Sequence, residues 1–141
     1  MRAVLDVNVL ISAALSADGA PATAMGAWRE GRFDLVLSPQ LLAELRRALA
    51  YPKIRKRISE GEARAYLQDL SEAATIAQDP SESPSIHSLD PDDDYLLSLA
   101  AAETAYLVSG DQHLLSLSST VPVLTPRRFL EVLQDPDTTG R

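Results

Sequence analysis

With 141 residues the chain is the size of one domain. That is long enough to bury about two-thirds of its unfolded surface without disulfides or a structural metal. It contains no cysteine, which excludes thiolate zinc sites and cysteine nucleophiles and fits a reducing compartment. The formal net charge of -7 argues at first sight against a nucleic-acid partner, but the charges are segregated: Arg46, Arg47, Lys53, Arg55, Lys56 and Arg57 are six of the thirteen basic residues.

The opening Met1-Arg2-Ala3-Val4-Leu5-Asp6 predicts no secretory signal, because a carboxylate interrupts the apolar run almost at once. No stretch approaches the roughly 20 uninterrupted apolar residues of a membrane span. A soluble, cytoplasmic protein is expected.

Taken in chain order, Arg2–Leu5 reads as a short apolar strand, with a helix starting near Asn8. Pro21 to Glu30 reads as a helix, with proline in its first turn and Gly31 just past its end. Asp34–Leu37 is a second strand. Ser38-Pro39 then has the form of an N-cap followed by proline at the first helical position. The helix from Pro39 to Ala50 places Leu41, Leu42, Leu45 and Leu49 on one stripe, and Pro52 is expected to end it. Glu60 to about Ala74 is helical, and Thr75–Ala77 is a weak third strand.

Asp79 to Leu89, rich in proline and serine, is the one evident loop. Asp92–Glu103 reads as a helix with acids favouring its N-terminal dipole. Ala105–Val108 is a fourth strand, Gln112–Leu117 a short helix and Val121–Leu124 a fifth strand. Pro122 puts that strand at a sheet edge, because it cannot donate to the ladder. Pro126–Leu133 is a last helix, and Gln134–Arg141 a polar tail expected to be disordered. Residues 1–133 are thus read as one domain and 134–141 as its tail. Apolar strands alternating with helices predict an α/β protein whose parallel sheet is sandwiched between helical layers.

In such a sheet, ligands bind beyond the carboxyl ends of the strands. Asp6 ends the first strand, with Asn8 two residues on. Ser38 ends the second, and Glu44 lies on its helix. The acidic run Asp90 to Asp94 opens the helix after the third, and Ser109 and Asp111 end the fourth. All fall on one edge. Four or more converging carboxylates cannot all stay ionised without a cation, because like charges raise each other's pKa. A set without histidine suits Mg²⁺ or a similar hard ion, held by carboxylates, waters and substrate phosphate. Two such ions about 3.5–4 Å apart would activate water and stabilise the leaving oxygen of a phosphodiester.

Each residue also has a plainer reading. Asp6 and Asp111 each precede a helix they could cap, and the acidic run is also an ordinary acid-rich helix start. Asn8, Ser38 and Ser109 are residues that cap turns. Glu44 could be a solvated helix residue, although its neighbours Leu41, Leu42 and Leu45 speak against a fully exposed face.

Val4-Leu5-Asp6-Val7-Asn8-Val9-Leu10-Ile11-Ser12 resembles the opening strand and helix of PIN-domain nucleases. Leu37-Ser38-Pro39-Gln40-Leu41-Leu42-Ala43-Glu44-Leu45 is similar to the segment carrying that family's second acid. Asp90-Pro91-Asp92-Asp93-Asp94, with Tyr95 to Ala100 after it, resembles the third, and Leu107-Val108-Ser109-Gly110-Asp111 the fourth. Leu124-Thr125-Pro126-Arg127-Arg128-Phe129-Leu130 resembles the end of one PIN subgroup.

The resemblance runs from about Arg2 to Leu133. It implies a three-layer α/β/α fold with a five-stranded parallel sheet of order 3-2-1-4-5. It also implies metal-dependent cleavage of single-stranded RNA with one or two Mg²⁺ or Mn²⁺ ions, and the role of toxin in a toxin–antitoxin pair. It carries the metal-ligand and catalytic roles onto Asp6, Glu44, Asp93 and Asp111. Asp93 is chosen within its run because the 18-residue step to Asp111 is the family's usual one. Asn8, Ser38, Asp90, Asp94 and Ser109 are candidates for supporting roles. A cognate antitoxin protein and a second copy of the chain are the partners implied. One departure is Gln112-His113-Leu114, where many members place another polar or acidic residue after the fourth acid.

The basic residues Arg46, Arg47, Lys53, Arg55, Lys56 and Arg57 follow Glu44 and are candidates for tracking an RNA backbone toward the acids. The alternative is a solubilising helix end and loop. Two rival functions stand beside the nuclease. One is a non-catalytic module that binds RNA or protein. The other is a phosphatase using Asp6 as nucleophile, which leaves Glu44 unexplained and would want a carboxylate where Asn8 stands.

Overall fold

In the computed structural model, residues 1–80, 91–116 and 121–134 are described, without the side chains at 91–93 and 113. The expected loop therefore lies outside the description from residue 81 to 89, and the tail from residue 135 onward.

The first strand, β1 (Arg2–Leu5), leads through Asp6 into helix α1 (Val7–Leu15). Helix α2 (Ala20–Arg29) follows and carries proline in its first turn. Its exit is a Schellman turn. Arg32 N–H donates to Ala27 O at 3.0 Å and Gly31 N–H to Trp28 O at 2.9 Å, with Gly31 at φ +78. Next come β2 (Asp34–Leu37) and α3 (Pro39–Leu49), capped by Ser38.

Pro52 does not merely stop a helix. It stands at the first position of a separate short helix, α4 (Pro52–Arg55), where its missing N–H costs nothing. Helix α5 (Glu60–Ala73) begins with a capping box between Ser59 and Glu62 and leads to β3 (Thr75–Ile76). Then follow α6 (Pro91–Ala102), β4 (Tyr106–Val108), α7 (Gln112–Leu115), β5 (Val123–Leu124) and α8 (Pro126–Gln134).

The five strands are parallel, in the order β3-β2-β1-β4-β5. The fold is the expected three-layer α/β/α sandwich. Consecutive residues of two of the three inner strands are fully buried: Ala3, Val4 and Leu5 in β1, and Leu35, Val36 and Leu37 in β2. Because successive side chains point to opposite faces, this requires cover on both sides of the sheet. Helix α6 packs on β1 and β4, while α8, α2, α1, α3 and α5 touch one another in that succession.

Strand β5 is an edge strand, as Pro122 predicts, but it is shorter than expected. Pro122 contributes only its carbonyl, which accepts from Leu107 N–H at 2.9 Å. Phe33 and Phe129 meet edge to face at 4.9 Å and are buried, as is Trp28. Those rings belong to the core.

Candidate functional site at the carboxyl edge of the sheet

Parallel strands end together, so the residue following each strand stands on the same edge. The register pairs Leu5 with Val108, and Ala3 with Leu35. Carried past the strand ends, it puts Asp6 between Ser38 and Ser109, with neighbouring backbones about 4.8 Å apart. The backbone confirms the first step of this row, with Asp6 N–H donating to Val108 O at 3.0 Å.

Asp6 is half-buried. Its Oδ1 accepts from Asn8 N–H at 3.3 Å, and its Oδ2 from Ser109 Oγ at 2.8 Å. Burial pushes its pKa above the ordinary carboxylate value, and the charge of Asp111 pushes the same way. The hydrogen bonds from Ser109 and the Asn8 and Val7 N–H groups pull against them. Ser109, fully buried, also accepts from Asp111 N–H at 3.0 Å, so one hydroxyl orders both acid-bearing turns. The capping alternative is thus realised at Asp6, in the same geometry that sets its carboxylate beside Asp111. Asn8 takes part through its backbone, and its side chain is exposed.

A second group of side chains lies on the other side of Asp6. Ser38 Oγ caps α3, accepting from Leu41 N–H at 3.3 Å, and is hydrogen-bonded to the Tyr95 hydroxyl. Tyr95 donates to Asp79 Oδ1 at 2.9 Å, and the same oxygen accepts from Gln40 N–H at 3.1 Å. Gln40 Nε2 reaches Glu44 Oε1 at 3.5 Å, one turn along α3.

Burial raises the Tyr95 hydroxyl well above the usual tyrosine range. The bond to Ser38 opposes this, and the charges of Asp79 and Glu44 add to it. At Asp79 partial burial acts upward, but the bonds from Ser38, Tyr95 and Gln40 N–H prevail and hold its carboxyl below the ordinary value. Glu44 is half-buried, as its apolar neighbours suggest.

Tyr95 fixes where the acidic run begins. Its contacts with Ser38 and Asp79 bring the start of α6 to the carboxyl edge, and Asp93 stands two residues before it. Asp94 is half-buried there. The side chain of Asp93, like that of His113, lies outside the described residues, and so does Asp90 altogether. Among the described residues no three acids or histidines come close enough to hold an ion by themselves. The donors available are nonetheless all oxygens: the carboxylates of Asp6, Asp111 and Glu44, and the hydroxyls of Ser38 and Ser109. That chemistry fits a hard divalent cation.

Sequence reading passed over Asp79 and Tyr95. The available signal was positional: Asp79 stands three residues past β3, on the same edge as the other acids.

The basic run divides. Arg55 donates to Leu49 O at 3.3 Å and Arg57 to Leu15 O at 3.4 Å, so each serves the carboxyl end of a helix. Arg46, Arg47, Lys53 and Lys56 are exposed. On α3, Arg46 is turned about 200° from Glu44, whereas Arg47 at i+3 shares its side. Arg46 accordingly lines an open groove of about 620 Å³ between α3 and α5, together with Arg55, Arg64, Glu60 and Glu72.

Comparison with known proteins agrees with this geometry. The PIN domain profile matches residues 2–113. An uncharacterized protein of Methanocaldococcus jannaschii is 24% identical over 141 residues, covering 93% of this chain and 90% of that one. Among solved structures, PAE2754 from Pyrobaculum aerophilum superposes with a TM-score of 0.65 at 17% identity, over 95% of this chain and 90% of that chain. VapBC2 from Rickettsia felis, bound to a DNA fragment from their promoter, superposes with a TM-score of 0.61 at 17% identity. That likeness covers 88% of this chain and 97% of the other. At these identities the two structures speak for the fold.

Proposed function

The chain belongs to the PIN-domain family, whose members are generally nucleases, and from that premise we propose that it is a metal-dependent endoribonuclease cutting single-stranded RNA. The observation that carries this reading is the pairing of Asp6 with Asp111 through Ser109 at the carboxyl edge. A half-buried carboxylate beside a like charge is a site that a cation relieves.

In this reading Asp6, Glu44, Asp93 and Asp111 are the ligands of one or two Mg²⁺ or Mn²⁺ ions. Bound metal would supply a water of lowered pKa and a Lewis acid for the phosphoryl oxygens. The remaining work falls to the chain. Ser109 favours the ionised form of Asp6 by donating to it, and the N–H groups of Val7 and Asn8 do the same, against burial and the charge of Asp111. Ser38 fixes the start of α3 and with it Glu44 one turn later. Asp94 adds negative charge at the start of α6, with Asp90 before it in sequence a candidate for the same role, and Asn8 borders the site from α1. Of the basic residues, Arg47 is best placed to hold an RNA phosphate, with Lys53 and Lys56 beyond it, while Arg46 faces the groove against α5.

Recognition in this reading rests mainly on phosphate and shape, since Trp28, Phe33 and Phe129 are buried and Tyr51 is the one large aromatic among the described residues that is exposed. The likeness to VapBC2 supports a toxin role, with an antitoxin protein as partner. An arginine from such a partner entering the acid cluster would pair with its carboxylates. Residues 1–133 are read as the nuclease domain and 134–141 as its tail, with Gln134 still in the last turn of α8, and a second copy of the chain is a further partner. A cytoplasmic setting belongs to the same reading; no helix among the described residues is long and apolar enough to cross a membrane.

The test is incubation of the purified chain with a mixed single-stranded RNA pool and, separately, with p-nitrophenyl phosphate, in Mn²⁺, Mg²⁺ or EDTA. The expected result is RNA cleavage with metal only and no release of p-nitrophenol. Folded protein that cuts nothing would favour the binding-module reading, and hydrolysis of the monoester would favour the phosphatase.

A further inference from the structure

Three segments that carry the candidate acids are tied by one tyrosine hydroxyl. Tyr95, on the second turn of α6, is hydrogen-bonded to Ser38 at the start of α3 and donates to Asp79 just past β3. Asp79 in turn accepts from Gln40 N–H in the first turn of α3, and the Gln40 side chain reaches Glu44. The ring closes through Ser38, whose Oγ accepts from Leu41 N–H. The two bonds of the Tyr95 hydroxyl are not required to form either helix. Ser38 already caps α3 through Leu41, and α6 needs no side chain from β3 to make its own backbone bonds. Their common effect is to fix the start of α6, and so the backbone of Asp93, against the start of α3 and Glu44.

We propose that Tyr95 is a positioning residue for the acid cluster: its hydroxyl, seated between Ser38 and Asp79, holds the Asp93 end of α6 at the separation from Glu44 that a shared cation requires. The inference rests on the nuclease reading. Cation affinity depends on where the carboxylates stand before the ion arrives, and groups that orient ligands without touching the metal typically contribute 10–100-fold in affinity or activity. Tyr95 touches neither ion nor RNA on this account, so its loss should act on the metal and on kcat and leave KM for RNA unchanged.

The test compares wild type with Tyr95→Phe, which removes one oxygen and keeps the ring, and with Asp79→Ala and Asp79→Asn. Mn²⁺ affinity is read by electron paramagnetic resonance titration, folding by thermal melting in EDTA, and RNA cleavage by steady-state kinetics. The expected result is folded Tyr95→Phe with Mn²⁺ binding about 10-fold weaker or more and a lower kcat at unchanged KM. Asp79→Ala should reproduce the loss from the other end of the tether, and it serves alone should Tyr95→Phe fail to fold. Asp79→Asn, which keeps an acceptor for the hydroxyl, should restore most of the affinity. Wild-type Mn²⁺ affinity in folded Tyr95→Phe would overturn the inference and leave the nuclease reading standing. A loss in Asp79→Asn as large as in Asp79→Ala would also overturn it, because charge and not the tether would then carry the effect. Wild type that binds no Mn²⁺ would overturn both.

Discussion

Replacing Ser109 with alanine removes both the donor to Asp6 and the acceptor of Asp111 N–H, and only the first of these losses depends on the charge of Asp6. In the folded chain Asp6 Oδ2 accepts from Ser109 Oγ at 2.8 Å. A hydrogen bond to a charged group is worth about 1.5–3 kcal/mol, and one between neutral groups about 1. Losing the hydroxyl therefore costs the ionised form of Asp6 more than the protonated form, by roughly 1–1.5 kcal/mol. At 1.36 kcal/mol per unit, that raises the folded pKa of Asp6 by about one further unit.

Because burial already holds this pKa above the ordinary 3.8, the folded state binds the proton more tightly than the unfolded one. The stability this gives is fully present below the unfolded pKa and is lost as pH rises through the folded value. In Ser109→Ala the loss continues for about one pH unit more. The variant is thus expected to be about 2 kcal/mol less stable than wild type at acid pH, roughly 1 for each bond lost, with the deficit growing by about 1.4 kcal/mol toward neutrality. Urea denaturation in EDTA at steps from about pH 3.5 to about pH 8 measures it. A deficit that stays constant with pH would refute the reasoning, since the bond would then not discriminate the charged form of Asp6.

Arg47→Ala should weaken RNA binding about equally across sequences and lower the slope of log affinity against log salt by about one. Arg46→Ala should do less, and filter binding that finds the two alike would contradict the assignment by helix face. Thr104 sits in the left-handed region at φ 51, where its neighbours Ala105 and Ala100 close the turn ending α6. Thr104→Gly relieves a strain of about 1–2 kcal/mol, part of it offset by glycine's greater freedom when unfolded. It should raise the melting temperature by a few degrees, and an unchanged or lower Tm would show the turn to be unstrained. Phe129 is fully buried, 4.9 Å from the Phe33 ring and 6.2 Å from Tyr106. Phe129→Ala should cost about 3–5 kcal/mol in urea denaturation, and a loss below about 1 kcal/mol would mean that α8 does not depend on that ring.

Much of this molecule is legible in residue order because its strands are buried on both faces. Ala3 to Leu5 and Leu35 to Leu37 read as continuous apolar runs, which a sheet covered by helices on both faces needs. The N-cap at Ser38, the glycine exit at Gly31 and the edge position marked by Pro122 are local signals of the same quality. The strand order came from resemblance, since periodicity says nothing of which strands are neighbours.

Three features escape, two because they depend on distance in space and one because a local signal has two meanings. Arg55 and Arg57 look like free charge until α3 and α1 bring their last carbonyls within reach. Pro52 looks like a terminator because proline punctuates a helix at both ends. The Ser38–Tyr95–Asp79 contacts join residues 57 and 16 positions apart, and an aspartate opening a Pro/Ser loop gives no sign that its partner is a tyrosine on the following helix. The acids at strand ends were found by a rule of topology, and the residues that hold them in place obey no such rule.

The central claim is that the carboxyl-edge acids cut RNA with the help of a divalent cation. The most direct measurement is cleavage of an end-labelled single-stranded RNA by wild type, Asp6→Asn and Asp93→Asn, each with Mn²⁺ and with EDTA. The account predicts cutting by wild type in Mn²⁺ alone, lost in both folded variants. Cutting that persists in EDTA, or in Asp6→Asn, would contradict it.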